Sequence, residues 1–119
     1  MTELGDALDG AVLRELRESV GDDPEFLAEL VDEFLADAPN QLEALKSAAA
    51  SGDAVGARRA AHTLKGNGRT FGAGVLASLC QEAESAAEAG DLDAVSARID
   101  DIDREWGRAR TELLALLGR

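Results

Sequence analysis

Tyrosine is absent from this 119-residue chain, and Phe, Trp, Pro, Cys and His together supply only eight side chains. A lone cysteine, Cys80, excludes an internal disulfide and fits a reducing compartment. One histidine and one cysteine are too few for a metal site built on those ligands. No uncharged apolar run approaches the roughly 18 residues of a membrane-spanning helix. The start, Met1-Thr-Glu-Leu-Gly-Asp, has neither the basic nor the apolar region of a secretory signal. A cytoplasmic protein with no membrane partner is expected. Basic residues are scarce, 12 against 24 acidic ones for a net charge of −12, which argues against nucleic acid as a partner.

What is present is helical material. Ala, Leu, Glu and Arg are abundant and β-branched residues few, a balance that favours helix over strand, and the length suits one domain over residues 1–119. Asp9 can cap a short helix over about 9–20, with Val12, Leu13, Leu16 and Val20 along it. Asp23-Pro24 opens a second helix over about 24–51, carrying Phe26, Leu27, Leu30, Val31, Phe34, Leu35, Leu42 and Leu45 at helical spacing, with a bend expected at Pro39. Gly52-Asp53 closes it and starts a third over about 53–69, which ends among Gly66, Gly68, Gly72 and Gly74. A fourth, about 73–89, carries Leu76, Leu79, Cys80, Ala83 and Ala87. After Gly90-Asp91 the last helix, about 91–117, steps by four and three through Val95, Ile99, Ile102, Trp106, Ala109, Leu113 and Leu116. The expectation is an all-α fold, an antiparallel up-and-down four-helix bundle with an additional short N-terminal helix. Trp106 and Cys80 belong to its core. Ser51-Gly-Asp-Ala and Ala89-Gly-Asp-Leu are alike, but two weak copies fall short of a solenoid.

Charge is spread unevenly. From Ala54 to Gln81 there is no Asp or Glu, and Arg58, Arg59, Lys65 and Arg69 give that segment +4 with His62 in its midst, while the other residues hold 8 basic and 24 acidic groups, −16. At about 100° per residue, Ala57, Ala61, Leu64 and Gly68 mark the core face of this helix. His62 falls roughly 130° from the centre of that face, and Arg58, Lys65, Gly66 and Arg69 lie within about 60° of it. This predicts an exposed imidazole among cations. An ordinary surface histidine on a solvated basic face is the plain alternative. A mid-helix glycine costs about 1 kcal/mol relative to alanine, so Gly66 marks either close approach of another molecule to His62 or fraying of the helix.

A neutral imidazole is a nucleophile, and a phosphoryl group added to it would meet Lys65 and Arg69, whose charge-assisted hydrogen bonds can hold its oxygens. That is the chemistry of a phosphohistidine carrier. Other constellations fare worse. No carboxylate lies nearer to His62 in the chain than Asp53 or Glu82 to orient it as in a Ser–His–Asp arrangement. Gly72-x-Gly74-x-x-Ala77 fits the dinucleotide pattern loosely, but no strand precedes it, and the phosphate-loop ending Gly-Lys-Ser/Thr is absent. A noncatalytic helical adaptor, binding a basic partner through its acidic surface, is the reading from a different class.

The segment Ala61-His62-Thr63-Leu64-Lys65-Gly66-Asn67-Gly68-Arg69-Thr70-Phe71-Gly72, followed by Leu76 and Cys80-x-x-x-Glu84, resembles the signature of histidine-containing phosphotransfer (HPt) domains. The resemblance implies a four-helix bundle whose exposed histidine takes a phosphoryl group from the aspartyl phosphate of a response-regulator receiver domain and passes it on in a multistep phosphorelay. His62 would be the acceptor, Lys65 the cationic neighbour and Gly66 the residue that leaves access; Arg69 is added from helix geometry for phosphate stabilisation. Receiver domains are the implied partners, with a hybrid histidine kinase behind them. A carrier of this kind has no ATP site and no intrinsic cofactor, is not an enzyme, and draws Mg²⁺ from the receiver's acidic pocket. Docking is expected to use apolar residues near His62 with the basic patch: Val55, Arg58 and Arg59. A monomer is expected. Ala83 departs from the larger apolar residue common before the glutamate. In the dimerising domain of ordinary sensor kinases an acidic residue follows the histidine, whereas here Thr63 does. The phosphoacceptor domain of chemotaxis-type kinases is the nearest alternative. A chain that ends at Arg119 without kinase, dimerisation or coupling domains is expected not to phosphorylate itself.

Overall fold

Aspartate starts four of the five helices. In the computed structural model, which describes residues 7–119, the helices are α1 (Gly10–Ser19), α2 (Pro24–Ser51), α3 (Ala54–Thr70), α4 (Gly74–Glu88) and α5 (Leu92–Leu116). Asp9, Asp23, Asp53 and Asp91 each accept from a backbone N–H in the first turn of α1, α2, α3 and α5, the orphan donors a capping side chain satisfies. The start of α4 has no side-chain cap. There Ala73 is buried, and its N–H donates to the Gly68 carbonyl at 2.7 Å. Gly52 closes α2 in the left-handed region, φ +79°. The helix α2 continues through Pro39, which is exposed.

The long helices form a ring in which α3 packs on α2 and α4, and α5 on α4 and α2. Among the described residues there is no strand. The fold is the expected all-α bundle. Its interior holds Val31, Phe34, Leu42 and Leu45 from α2, Leu64 from α3, Leu76 and Cys80 from α4, and Val95, Ile102, Trp106 and Leu113 from α5. Phe34 stacks on Phe71 at 4.8 Å and meets Trp106 edge-on at 5.1 Å, geometries aromatic quadrupoles favour. The seam of α5 ends sooner than its spacing predicts: Leu113 is fully buried, but Leu116 is exposed. Near that end lies α1, which has no fully buried residue. Between them lies an apolar groove lined by Leu13, Leu27, Val31, Leu116 and Leu117.

Small side chains separate α3 from α4. Ala57, Ala60, Ala61 and Gly68 on α3 and Ala77, Cys80, Ala83 and Ala87 on α4 are all buried. A Cβ built at Gly68 would lie 3.5 Å from Ala77 Cβ, so the two backbones are close. Ala83 belongs to this interface.

The chain before α1 is tied across the bundle. Ala7 and Leu8 donate their N–H groups to the Glu112 carboxylate at 3.2 and 3.1 Å, and Asp9 donates to the Gly72 carbonyl at 2.8 Å. Gly72 is the residue this crossing requires. Its φ is +75°, and a Cβ there would stand 2.9 Å from the Asp9 carbonyl oxygen.

Candidate functional site

His62 projects from the middle of α3 with 62 % of its side chain exposed. Its flank toward Gly66 is open, since a Cβ built on Gly66 meets nothing within 4 Å. The exposed imidazole that helix geometry predicts is therefore present. Its surroundings differ from those expected.

The nearest charge to the ring is negative. His62 Nδ1 lies 2.9 Å from Glu84 Oε2 across the α3/α4 interface. An ionised carboxylate only accepts, so Nδ1 carries the proton of this bond, and in the neutral ring the free lone pair sits on Nε2. Glu84 is 7 % exposed, and its other oxygen, Oε1, faces Lys65 Nζ at 2.5 Å. Burial pushes the Glu84 carboxyl up, yet the hydrogen bonds from Lys65 and His62, with their charges, more than offset it. The carboxyl is held below the ordinary carboxylate range.

Lys65 is the second departure. The wheel of α3 places it beside His62 as a solvated cation; in the fold its side chain is only 11 % exposed. The physical reason is α4, which lies against that side of α3 and supplies Glu84 together with Gln81, whose Oε1 accepts from Lys65 Nζ at 3.0 Å. Two of the three ammonium donors are thus engaged, and the third is left for another acceptor.

The remaining residues divide by face. Arg69 is exposed in the last turn of α3. Val55, 60 % exposed, and Arg58 line a shallow groove with Ala54, Ala87 and Glu88 on the α4 side. Arg59 borders a different groove, shared with Gln41, Ser47 and Ser51 of α2. The fold thus brings Val55 and Arg58 together and sets Arg59 apart from them. Cys80 is fully buried, and burial pushes its thiol up to about 12. Among the described residues no three His, Cys, Asp or Glu side chains are grouped to hold a metal ion, and no helix is long and apolar enough to cross a membrane.

Reasoning from sequence misses Glu84 as the partner of His62, and Gln81 as a partner of Lys65. The signal was there: Glu84 follows the apolar stripe of Cys80, Ala83 and Ala87 on α4 so closely that it must be at least half buried, and a buried carboxylate needs a partner.

Comparison with known proteins places the chain in a family. The family model for the Hpt domain matches residues 29–117. Histidine-containing phosphotransfer protein B (HptB) from Pseudomonas aeruginosa PAO1 superposes with a TM-score of 0.85 at 33 % identity, covering 93 % of this chain and 94 % of that one. The histidine-containing phosphotransfer protein ZmHP2 from maize has the same fold, with a TM-score of 0.85 at 20 % identity, over 98 % of this chain and 86 % of that one. No curated protein matches the chain. An exposed histidine on an α-helical bundle, a family model spanning most of the chain and a solved relative matched nearly end to end lead to one assignment: this chain belongs to the Hpt domain family.

Proposed function

We propose that the protein is a phosphorelay carrier in which His62 Nε2 accepts a phosphoryl group from the aspartyl phosphate of a receiver domain and passes it to another. The observation that carries this reading is the Nδ1 bond to Glu84, which leaves Nε2 as the nucleophile on the exposed side of the ring.

In the forward step the Nε2 lone pair attacks phosphorus. An N–P bond forms as the P–O bond to the receiver's aspartate breaks, and the bonding pair leaves with the aspartate oxygen. The ring gains positive charge as its lone pair is committed, and Glu84, fixed in advance against Nδ1–H, faces that charge; preorganised electrostatics of this kind lower the barrier. The third donor of Lys65, with Arg69, is available to the phosphoryl oxygens. Gly66 leaves the approach clear. Reversal of the same step hands the group on. The protein supplies a nucleophile and a docking face, and the Mg²⁺ that such transfers use belongs to the receiver. In this reading it works as a cytoplasmic monomer with no ATP site, fed by a hybrid histidine kinase through its receiver. Val55 and Arg58 form the part of the docking face nearest the α4 side, and Arg59 contributes charge from the α2 side.

Incubation with a phosphorylated receiver domain tests the assignment. The wild-type protein gains acid-labile, base-stable phosphate and His62→Gln does not. Equal labelling of the His62→Gln variant refutes it.

A further inference from the structure

The transfer step leaves one end of the bundle unused. There Leu13, Leu27, Val31, Leu116 and Leu117 line an apolar groove of about 430 Å³. Leu116 is 43 % exposed although it follows the core spacing of its helix, and apolar surface gathered into a concavity and left open to water favours an occupant.

The groove is built from α1, α2 and α5 alone. Gly10, Leu13, Arg14 and Arg17 line it from α1 and fall within an arc of about 100° on that helix, while Val12, on another side, lies against Gly72. In the ring of long helices the α2/α5 seam stands opposite the α3/α4 seam that carries His62. A molecule seated in the groove therefore leaves the imidazole accessible.

Charge narrows what that molecule is. Acidic residues outnumber basic ones two to one in the chain, yet among the described residues that line the groove the only charged side chains are Arg14 and Arg17, both exposed. Arg17 donates from Nε to Asp22 Oδ1 at 3.2 Å, which engages one of its five guanidinium N–H donors. Two cations beside an apolar trough suit an occupant with carboxylates beside an apolar stripe. A second copy of this chain is a poor fit, since joining the same groove of two copies sets Arg14 and Arg17 against their own counterparts in a molecule of net charge −12. Length points to a helix. The lining runs from Gly10 to Arg17 on α1 and from Pro24 to Val31 on α2, about 10 Å along each, which matches two turns of an amphipathic helix seating residues i, i+3 or i+4, and i+7.

We propose that this groove docks an acidic amphipathic helix of a partner protein, so that the partner holds the chain while the His62 side stays free for a receiver. Binding in the groove does not rest on the carrier reading; only its leaving transfer undisturbed does.

The probe is a pool of displayed helical peptides about fourteen residues long, apolar at i, i+3 or i+4, and i+7, with either Glu or Lys at the flanking positions. Glu-flanked peptides are enriched, and in the ¹H–¹⁵N spectrum of the full chain the tightest of them moves the amides of α1, the start of α2 and the end of α5, not those around His62. Its dissociation constant rises roughly tenfold in Arg14→Glu with Arg17→Glu, where two exposed charge pairs turn repulsive, and by about as much in Leu116→Ser, which removes apolar contact at the exposed end of α5. Both variants take phosphate from a phosphorylated receiver at the wild-type rate, and saturating peptide leaves that rate unchanged. No enrichment, equal enrichment of Lys-flanked peptides, or unchanged affinity in the charge-reversed variant overturns the proposal. So does a peptide-free dimer that Leu116→Ser dissociates, which assigns the groove to a second copy, or dodecanoate that binds it more tightly than the peptide, which makes it a fatty-acid site. Slowed transfer with peptide bound overturns the claim of a free His62 side. Wild-type protein that accepts no phosphate refutes the carrier reading and leaves the peptide result standing.

Discussion

Replacing Glu84 by glutamine removes a charge and almost no volume, and the structure sets the size of its effect. The carboxylate presents two acceptors, one to Lys65 and one to His62, where an amide presents one. In Glu84→Gln either the ammonium or the imidazole N–H must face an NH₂ group. Lys65 keeps Gln81 as an acceptor, and His62 is largely solvated, so the loss is that of one charge-assisted hydrogen bond, about 2 kcal/mol. With an unfolding entropy of about 2.1 cal/mol/K per residue, 119 residues give roughly 0.25 kcal/mol/K, and the melting temperature should drop by about 8 °C at pH 7. The pH dependence has a definite sign. The folded Glu84 carboxyl is held below its ordinary range, which is about 4.3 for an unfolded glutamate. Its stabilisation is therefore fully present above that value and is lost as pH falls through the lower, folded one. Calorimetric melts of both proteins between pH 7 and pH 3 should show a gap that is constant down to about pH 5 and narrows below about pH 4. Equal melting temperatures at pH 7, or a gap as wide at pH 3 as at pH 7, would refute the reasoning. Phosphate uptake by Glu84→Gln should also slow, because the tautomer and the facing charge are lost together.

Three other substitutions or treatments follow from single features. Gly66→Gln should raise helix stability by about 0.5–1 kcal/mol, since nothing opposes a side chain there, yet slow phosphotransfer on the order of ten- to a hundredfold by crowding the ring; stopped-flow transfer at the wild-type rate would limit the glycine to a backbone role. Gly72→Ala forces a β-carbon into a positive-φ site 2.9 Å from the Asp9 carbonyl, a cost of roughly 2 kcal/mol or more. Hydrogen exchange at the Asp9 amide should accelerate, and unchanged protection would show that the crossing does not depend on the glycine. Cys80, buried and with its thiol pushed up to about 12, should resist iodoacetamide at pH 8 until the protein unfolds; rapid alkylation of the native protein, read by mass spectrometry, contradicts its placement.

The helices were legible because their punctuation is local. An aspartate before an apolar run and a glycine after it report on the same few residues that they cap, and Asp23-Pro24 and Gly52-Asp53 do so in the structure. The exposure of His62 was legible for the same reason, since one helix decides it. What the sequence could not show is which side of α3 another helix covers. Lys65 and Arg58 fall within about 20° of each other on the wheel, a turn apart on each side of His62 along the axis; α4 buries the first and leaves the second exposed. Glu84 lies 22 residues from His62, and no periodicity within α3 points to it. Arg58 and Arg59 read as one patch, although adjacent positions on a helix diverge by about 100°, and the two border different grooves. The early end of the α5 seam at Leu113 depends likewise on where its neighbours stop.

The alanines between α3 and α4 act as a spacer whose thickness is set at one methyl group per side. The side chains of His62 and Lys65 meet those of Gln81 and Glu84 across that gap, and their reach is finite, so the gauge of the spacer determines whether they meet. Residues that never approach a phosphoryl group, such as Ala61 and Ala83, thereby carry a dimensional tolerance for the chemistry above them. A bulkier side chain at Ala61 would leave every reactive atom intact and still move the two sets of partners apart.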